Sequence, residues 1–398
     1  MNLADYNLCS GCSACQAACP RQAIDMLPDA EGFSHPIIDS GRCVNCGICR
    51  RVCPSINRNE PRFPLAVYAA VASDDVLRMK SSSGGVFSML AMEVLDNGGV
   101  VFGAAFDHSD WHVYHRAVYD EGDLQELRGS KYVQSDMGGV IPKVKEALLS
   151  NRDVLFSGTP CQVAGLRNCL KVDTKVPMDK LLLIEVVCHA VPSPLAWRKY
   201  LESRTVLHSK EGGAHDRRRI IKSISFRRKD CGWKRCSLSL CFANDKENLI
   251  PVDHDLFMRG FVSELFNRPS CNECACRTLR SGSDLSIADY WGVDTKFPAF
   301  DDDKGTSLVL VNTEKGRRAF ENISKHCRII RSDFEHAIMR NFPIVRSPVA
   351  HRNRKLFFKG LKEKDFDDLV EKLLKPSFYQ RIRSLAGRCL RRCGLMRK

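Results

Sequence analysis

The sequence has no stretch approaching the roughly 18 consecutive apolar residues of a membrane-spanning helix. Its most apolar run, Leu181–Cys188, is strand-sized. Met1–Gly11 has neither a basic n-region nor an apolar h-region, so no export signal is expected. No G-x-G-x-x-G follows a strand-like segment, which excludes a Rossmann dinucleotide site. These absences place the chain in a reducing compartment, expected to be the cytoplasm, where cysteines bind metal rather than pair as disulfides.

Cysteine is what the chain has in excess: twenty among 398 residues, against an ordinary 44% of hydrophobic residues. Eight of the twenty lie before position 54. Cys9-x2-Cys12-x2-Cys15-x3-Cys19-Pro20 is repeated as Cys43-x2-Cys46-x2-Cys49-x3-Cys53-Pro54. This doubled run is the bacterial two-cluster ferredoxin signature. Three thiolates at x2 spacing reach three corners of one 4Fe-4S cube. The fourth cysteine, expected to start a short helix, turns away to the other cube. Cys9, Cys12, Cys15 and Cys53 are therefore assigned to one cluster, and Cys43, Cys46, Cys49 and Cys19 to the other. Gly11 and Gly47 stand where the backbone must pass close to sulfide. Zinc would instead use well-separated C-x2-C pairs.

Pro61 and Pro64 mark a linker after this module. Beyond it the pattern alternates between strand and helix. AVYAAVA, GVVFGAAF, RDVLFSGTP, the buried run KLLLIEVVCHA, SLVLVNTEKG and CRIIRSDF read as strands. A helix is expected from Gly84 to Leu95 and another over CQVAGLRNCL. The fold class expected is an α+β ferredoxin-like dicluster domain followed by an α/β flavoprotein domain.

Lys80-Ser-Ser-Ser-Gly-Gly-Val-Phe-Ser88, Gly129-Ser-Lys-Tyr132 and Phe156-Ser-Gly-Thr-Pro-Cys-Gln162 occur in that order. Glu185-Val-Val-Cys-His189, Phe226-Arg-Arg-Lys229, Cys271-x2-Cys274 and Asp289-Tyr-Trp-Gly292 follow. Together they resemble the family of coenzyme F-420 hydrogenase/dehydrogenase beta subunits, and the SSSGGVFS form resembles its branch in bacterial polysaccharide gene clusters. The resemblance implies an iron–sulfur flavoprotein oxidoreductase with FAD and a further 4Fe-4S cluster, exchanging electrons with a small two-electron acceptor or donor. The alternative is a non-catalytic electron-transfer subunit that docks on a larger complex. The implied parts are residues 1–58 for the dicluster domain, 66–150 for FAD binding and 151–345 for the third cluster, with 346–398 a basic helical tail.

Ser81, Ser82, Ser83, Gly84 and Gly85 open a helix, whose free N–H groups suit a pyrophosphate; serine clusters also serve as plain caps. Lys131 and Tyr132 are candidates to face the flavin, with Gly158 and Thr159 at the next strand end. Cys161, Cys188, Cys271 and Cys274 are the candidate third-cluster ligands, because strand ends at one sheet edge can converge. Cys276 competes with Cys274. Lys131 and His189 are the catalytic candidates, and Asp289 a turn cap near the third cluster. Cys169, Cys231, Cys236, Cys241, Cys327, Cys389 and Cys393 read as ordinary residues.

The formal charge is +14. Residues 198–236 and Pro376–Lys398 hold much of the excess, the latter with seven Lys/Arg and no acid. No nucleic-acid recognition fold accompanies them. An acidic redox partner or ferredoxin pool is expected instead. Phe378, Ile382, Leu385 and Cys389 at helical spacing add a peripheral membrane-surface reading.

Overall fold

A computed structural model of the chain describes residues 3–205 and 220–375. The expected amphipathic tail, with Cys389 and Cys393, and part of the 198–236 basic segment lie outside the described residues.

The N-terminal module is a hairpin of β1 (Ile24–Pro28) and β2 (Ser34–Ile38), flanked by short helices Ala14–Ala17 and Ile48–Val52. Each helix carries the third cysteine of its run, Cys15 or Cys49, and ends before the fourth, so the fourth follows the helix instead of starting it. Proline is the reason. It disfavours helical geometry in the residue before it, and Cys53, before Pro54, is extended at ψ 118°.

The large sheet contains β3 (Ala66–Ala72), β4 (Val100–Phe106), β5 (Val113–Val118), β6 (Val154–Gly158) and β7 (Leu181–Val186). A second, antiparallel sheet follows in the chain, formed by β8 (Ile221–Arg228), β9 (Ser237–Phe242) and β10 (Glu247–Pro251). The large sheet is completed by β11 (Leu285–Asp289), β12 (Ser307–Val311) and β13 (Cys327–Ser332). Its strand order is β13-β3-β12-β11-β7-β6-β4-β5. The centre, β11-β7-β6-β4, is parallel, and the remaining pairings are antiparallel. Strands from 66–150 and from 151–345 thus share one sheet.

The central strands are apolar on both faces because helices cover both. Val101, Leu155 and Ile184 pack in one core with helices Val86–Asp96 and Glu314–Ser324. Val100, Phe102, Val154, Phe156, Leu181 and Leu183 pack in the other with Val140–Leu149 and Pro160–Leu170. That alternation is the period-2 signature of strands. A third core, built on Trp197, Tyr200, Phe226, Phe257, Phe266 and Phe366, joins the small sheet to helices Pro194–Thr205, Leu256–Val262 and Phe366–Leu374. Register makes the C-terminal ends of β3, β4, β6, β7 and β11 share one edge of the large sheet, where the candidate residues collect.

Candidate functional site

Two cavities open in the N-terminal module. One, of about 390 Å³, is lined by Cys9, Cys12, Cys15 and Cys53. The other, of about 340 Å³, is lined by Cys19, Cys43, Cys46 and Cys49. Each holds three cysteines of one run and the fourth of the other, the crossed arrangement expected from the spacing. Gly11 and Gly47 take φ of +67° and +75°, a left-handed backbone that a side chain would strain. Burial pushes the Cys12 thiol well above its ordinary value and Cys15 up to about 12; neighbouring thiolates reinforce both. Four thiols gathered there, one buried and three half-buried, would repel one another once ionised, which makes the site a poor place for protons to leave and a good place for a cation that binds sulfur.

The Cys161, Cys188, Cys271 and Cys274 thiols come together at the sheet edge. Cys161 sits in the first turn of Pro160–Leu170 after β6, and Cys188 follows β7. The Cys271–Cys274 loop arrives from the chain after Arg268, whose N–H donates to Val191 O at 3.0 Å. Burial raises Cys161, Cys188 and, to about 12, Cys271; the other thiolates of the quartet act in the same direction. Cys274 is the exception, lowered by the Cys276 thiol beside it and then by Arg277. Cys276 is therefore within contact of the quartet. Cys12 also feels Cys161, and Cys15 feels Cys49, so the three thiol groups are neighbours in series.

Two arginines at these thiols escaped the sequence reading. Arg277 donates from Nη1 to Cys188 O and Pro343 O and from Nη2 to His189 O, while its buried Nε has no partner among the described residues. Arg268, 1% exposed, donates from Nε to Cys9 O at 2.7 Å, from Nη1 to Gln134 Oε1 at 2.8 Å and from Nη2 to Ser34 O at 2.9 Å. Its charge also bears on Cys161. Their only signal in sequence was proximity to the Cys271–Cys274 pair.

The serine loop meets the other motifs. Ser130 Oγ donates to Ser82 Oγ at 3.0 Å, Ser83 Oγ to Thr306 O at 2.7 Å, and Ser81 Oγ to Leu77 O at 2.9 Å. Gly84 is held for packing: a Cβ there would lie 2.3 Å from Ala70 O. Gly85, at φ +94°, caps Val86–Asp96. Lys229 Nζ donates to Ser83 O, Arg78 O and Lys304 O at 2.8–3.1 Å. Burial lowers it to about 8. Lys131 Nζ donates to Arg128 O and Gly129 O and is lowered by burial to about 8 as well. Tyr132 packs between Phe226 and Phe261, with centroids at 5.4 and 5.2 Å. Arg227 pairs with Asp289, which also accepts from Trp233 Nε1, so Asp289 anchors charge where a turn cap was expected. Arg227 Nε and Nη2 and Thr306 Oγ1 are buried without partners among the described residues, and beside Gly129 there is open space. Unmet donors beside a serine loop fit an anionic, polar group such as a dinucleotide.

Gly158 and Thr159 stand apart from that loop. Thr159 Oγ1 is 3.3 Å from Cys161 Sγ, and β7, β11 and β12 separate β6 from β3. They belong with the thiol quartet. His189 pairs with Glu264 and meets Phe261 and Phe342 edge-on; its own backbone carbonyl receives Arg277.

Family models for the coenzyme F420 hydrogenase/dehydrogenase beta subunit match residues 67–142 (N-term) and 151–336 (C terminus), and a 4Fe-4S dicluster domain matches 8–56. The chain belongs to this family of beta subunits. Its relatives include a subunit of the F(420)H(2) dehydrogenase of Methanosarcina mazei, 24% identical over 195 residues, 46% of this chain and 54% of that protein. Another is the coenzyme F420-dependent sulfite reductase of Methanocaldococcus jannaschii, 24% identical over 172 residues, 42% of this chain and 26% of that one. The beta-subunit homologue thus spans about half the length of the M. mazei protein it matches. A chain of the F420-reducing [NiFe] hydrogenase complex of Methanosarcina barkeri superposes with TM-score 0.45 at 17% identity, covering 78% of this chain and 91% of that one. This is an iron–sulfur redox protein with a ferredoxin-like region on a large mixed α/β sheet. No helix among its described residues is long and apolar enough to cross a membrane.

Proposed function

We propose that this family member is an iron–sulfur flavoprotein oxidoreductase, passing electrons between three 4Fe-4S clusters, FAD and a small two-electron acceptor or donor. The observation that carries the reading is the series of thiol groups: eight cysteines in two crossed cavities, with Cys12 next to the Cys161, Cys188, Cys271 and Cys274 quartet. Each set offers the four thiolates that a cube requires. The serine loop, Lys131, Tyr132 and the unmet donors of Arg227 would hold the flavin, which when bound supplies the exchange between one-electron and two-electron chemistry.

The chain's own residues have definite tasks in this scheme. Arg268 and Arg277 bring positive charge to the thiol groups from backbone-anchored positions, which would favour the reduced state of clusters held there. Lys131, held by two carbonyls and lowered by burial to about 8, would set a cation beside the flavin. Lys229 ties Ser83 to the small sheet and fixes the loop. On the SSSGGVFS form of that loop, the proposal places the chain in the bacterial polysaccharide branch. It works with an acidic redox partner and, through residues 376–398, associates with the membrane surface.

A second reading is a docking subunit with no small substrate of its own, favoured by the subunit status of the M. mazei relative. Anaerobic purification with iron and flavin analysis tests the first reading. Three cubes require about twelve irons, with one FAD. About eight irons and no flavin overturns it. Cys161→Ser is expected to lose about four irons while the ferredoxin-type signal survives; unchanged iron removes the quartet. A flavin that is reduced yet never turns over a low-molecular-weight acceptor decides for the docking subunit.

A further inference from the structure

We propose that the face around the cavity of Cys19, Cys43, Cys46 and Cys49 is the docking surface for a small acidic protein that carries single electrons. The inference rests on the reading that these thiolates hold a cluster, and it locates where electrons cross between this chain and its partner.

Cys46 is exposed at the mouth of its cavity, and Val44, on the same rim, is 59% exposed. The other cavity lies deeper: Cys12 is buried, and Cys9, Cys15 and Cys53 are half-buried. At the far end of the series the Cys161 quartet has no exposed thiol. A protein partner therefore approaches iron most closely at Cys46.

Charge is unevenly distributed over this module. Residues 1–57 contain four arginines and five acids, which is nearly neutral. Arg21 lines this cavity, Arg42 precedes its lining Cys43, and Arg50 and Arg51 are exposed on the helix that carries its lining Cys49. None of the five acids lines this cavity, whereas Arg21 does. Asp5 accepts from Asn7 N–H, Asp29 from Tyr6, and Glu31 pairs with Arg354. Asp25 and Asp39 both pair with Arg42, at 3.1 and 2.6 Å. Arg21 and Arg51 are exposed and form no ion pair among the described residues. An apolar tip inside a cationic rim is the layout that steers and seats an anionic partner. A second copy of this chain would set arginine against arginine, so the occupant is a different, acidic protein.

The test uses the intact, cluster-loaded protein, with iron and flavin contents measured first, so that failure of the cofactor reading shows separately. The probe is a reduced acidic two-cluster ferredoxin, mixed in stopped flow. Raising salt from about 20 to about 200 mM is expected to slow reduction roughly tenfold. Arg21→Glu with Arg51→Glu is expected to slow it at least about tenfold at low salt and abolish the salt dependence. Reduction by methyl viologen, which needs no docking, stays unchanged. Should the double variant lose iron, Val44→Asp places a negative charge on the same rim without touching an arginine and is expected to slow the ferredoxin in the same way. Rates indifferent to salt and to these substitutions, or no reduction by the ferredoxin where viologen succeeds, overturn the proposal.

Discussion

Arg268 is a buried cation with no carboxylate partner among the described residues, placed between two groups of thiols. Its guanidinium satisfies the carbonyls of Cys9 and Ser34 and the Gln134 amide oxygen, all at 2.9 Å or less. Removing it strands those acceptors, at about 1–3 kcal/mol each. Arg268→Met is therefore expected to lower Tm by roughly 5–10 °C. It should also move the potential of the adjacent cluster to more negative values, because reduction adds an electron beside the lost charge. Arg268→Lys keeps the charge but not the fork, so it should recover the potential more fully than the Tm. Calorimetry and redox titration followed by EPR check both; a Met variant with wild-type potential refutes the charge role. Lys229 gives a pH test. Its folded value, near 8, lies below its unfolded value, so between about pH 8 and 10.5 the unfolded chain binds more protons and the residue's contribution to stability rises with pH. Against Lys229→Met, urea unfolding should show the wild type gaining on the order of 3 kcal/mol across that window. A constant difference would contradict it.

Among the elements, helix Pro160–Leu170 does the most to join the parts. Thr159 and Gln162 fix its start, Cys161 stands in its first turn, and Gly165 one turn later lies under Cys12. Alanine at 165 would improve helix propensity by about 1 kcal/mol. Its Cβ, however, would sit 2.7 Å from Cys12 Sγ and 3.0 Å from Cys12 Cβ. If Cys12 holds iron as proposed, its thiolate cannot swing aside, and overlap wins. Gly165→Ala is expected to cost about 1–3 kcal/mol and to reduce iron content. Full iron with a higher Tm would show that the contact yields. The same helix marks the limit of what the sequence discloses. Cysteine spacing is local, so the crossed pairing of the eight N-terminal thiols is legible. The central strands are legible too, as apolar runs bounded by turns. Cys161 and Cys188 could be singled out because strand ends gather at one edge. The contact of Gly165 with Cys12, the reach of Arg268 to Cys9, and the hold of Lys229 on Ser83 join residues far apart in the chain. No periodicity encodes them. β8 was obscured for another reason: its Lys222, Arg227 and Arg228 make it resemble a solvated basic segment until the aromatic core beneath it is seen.

For the whole molecule, the question is how much of the chain the redox fold requires. Helix Phe366–Leu374 closes the aromatic core: Phe366, Leu369, Val370 and Leu373 are all buried, and Phe366 meets the Tyr200 ring at 5.6 Å. Asp367 accepts from both terminal nitrogens of Arg204. Four such side chains contribute roughly 6–12 kcal/mol of burial, comparable to the whole stability of a domain. A chain ending at Lys364 is therefore expected not to fold or retain iron. A chain ending at Lys375 keeps that face complete, and its iron, flavin and Tm should match the full length. It also loses seven basic residues and takes the formal charge from +14 to 14 − 7 = +7. At about 1 kcal/mol per cation near an anionic surface, that loss should weaken co-sedimentation with vesicles rich in acidic lipid by several orders of magnitude. Equal sedimentation of the two forms would rule out a membrane role for residues 376–398. Iron loss on cutting at Lys375 would instead make residues 376–398 part of the fold.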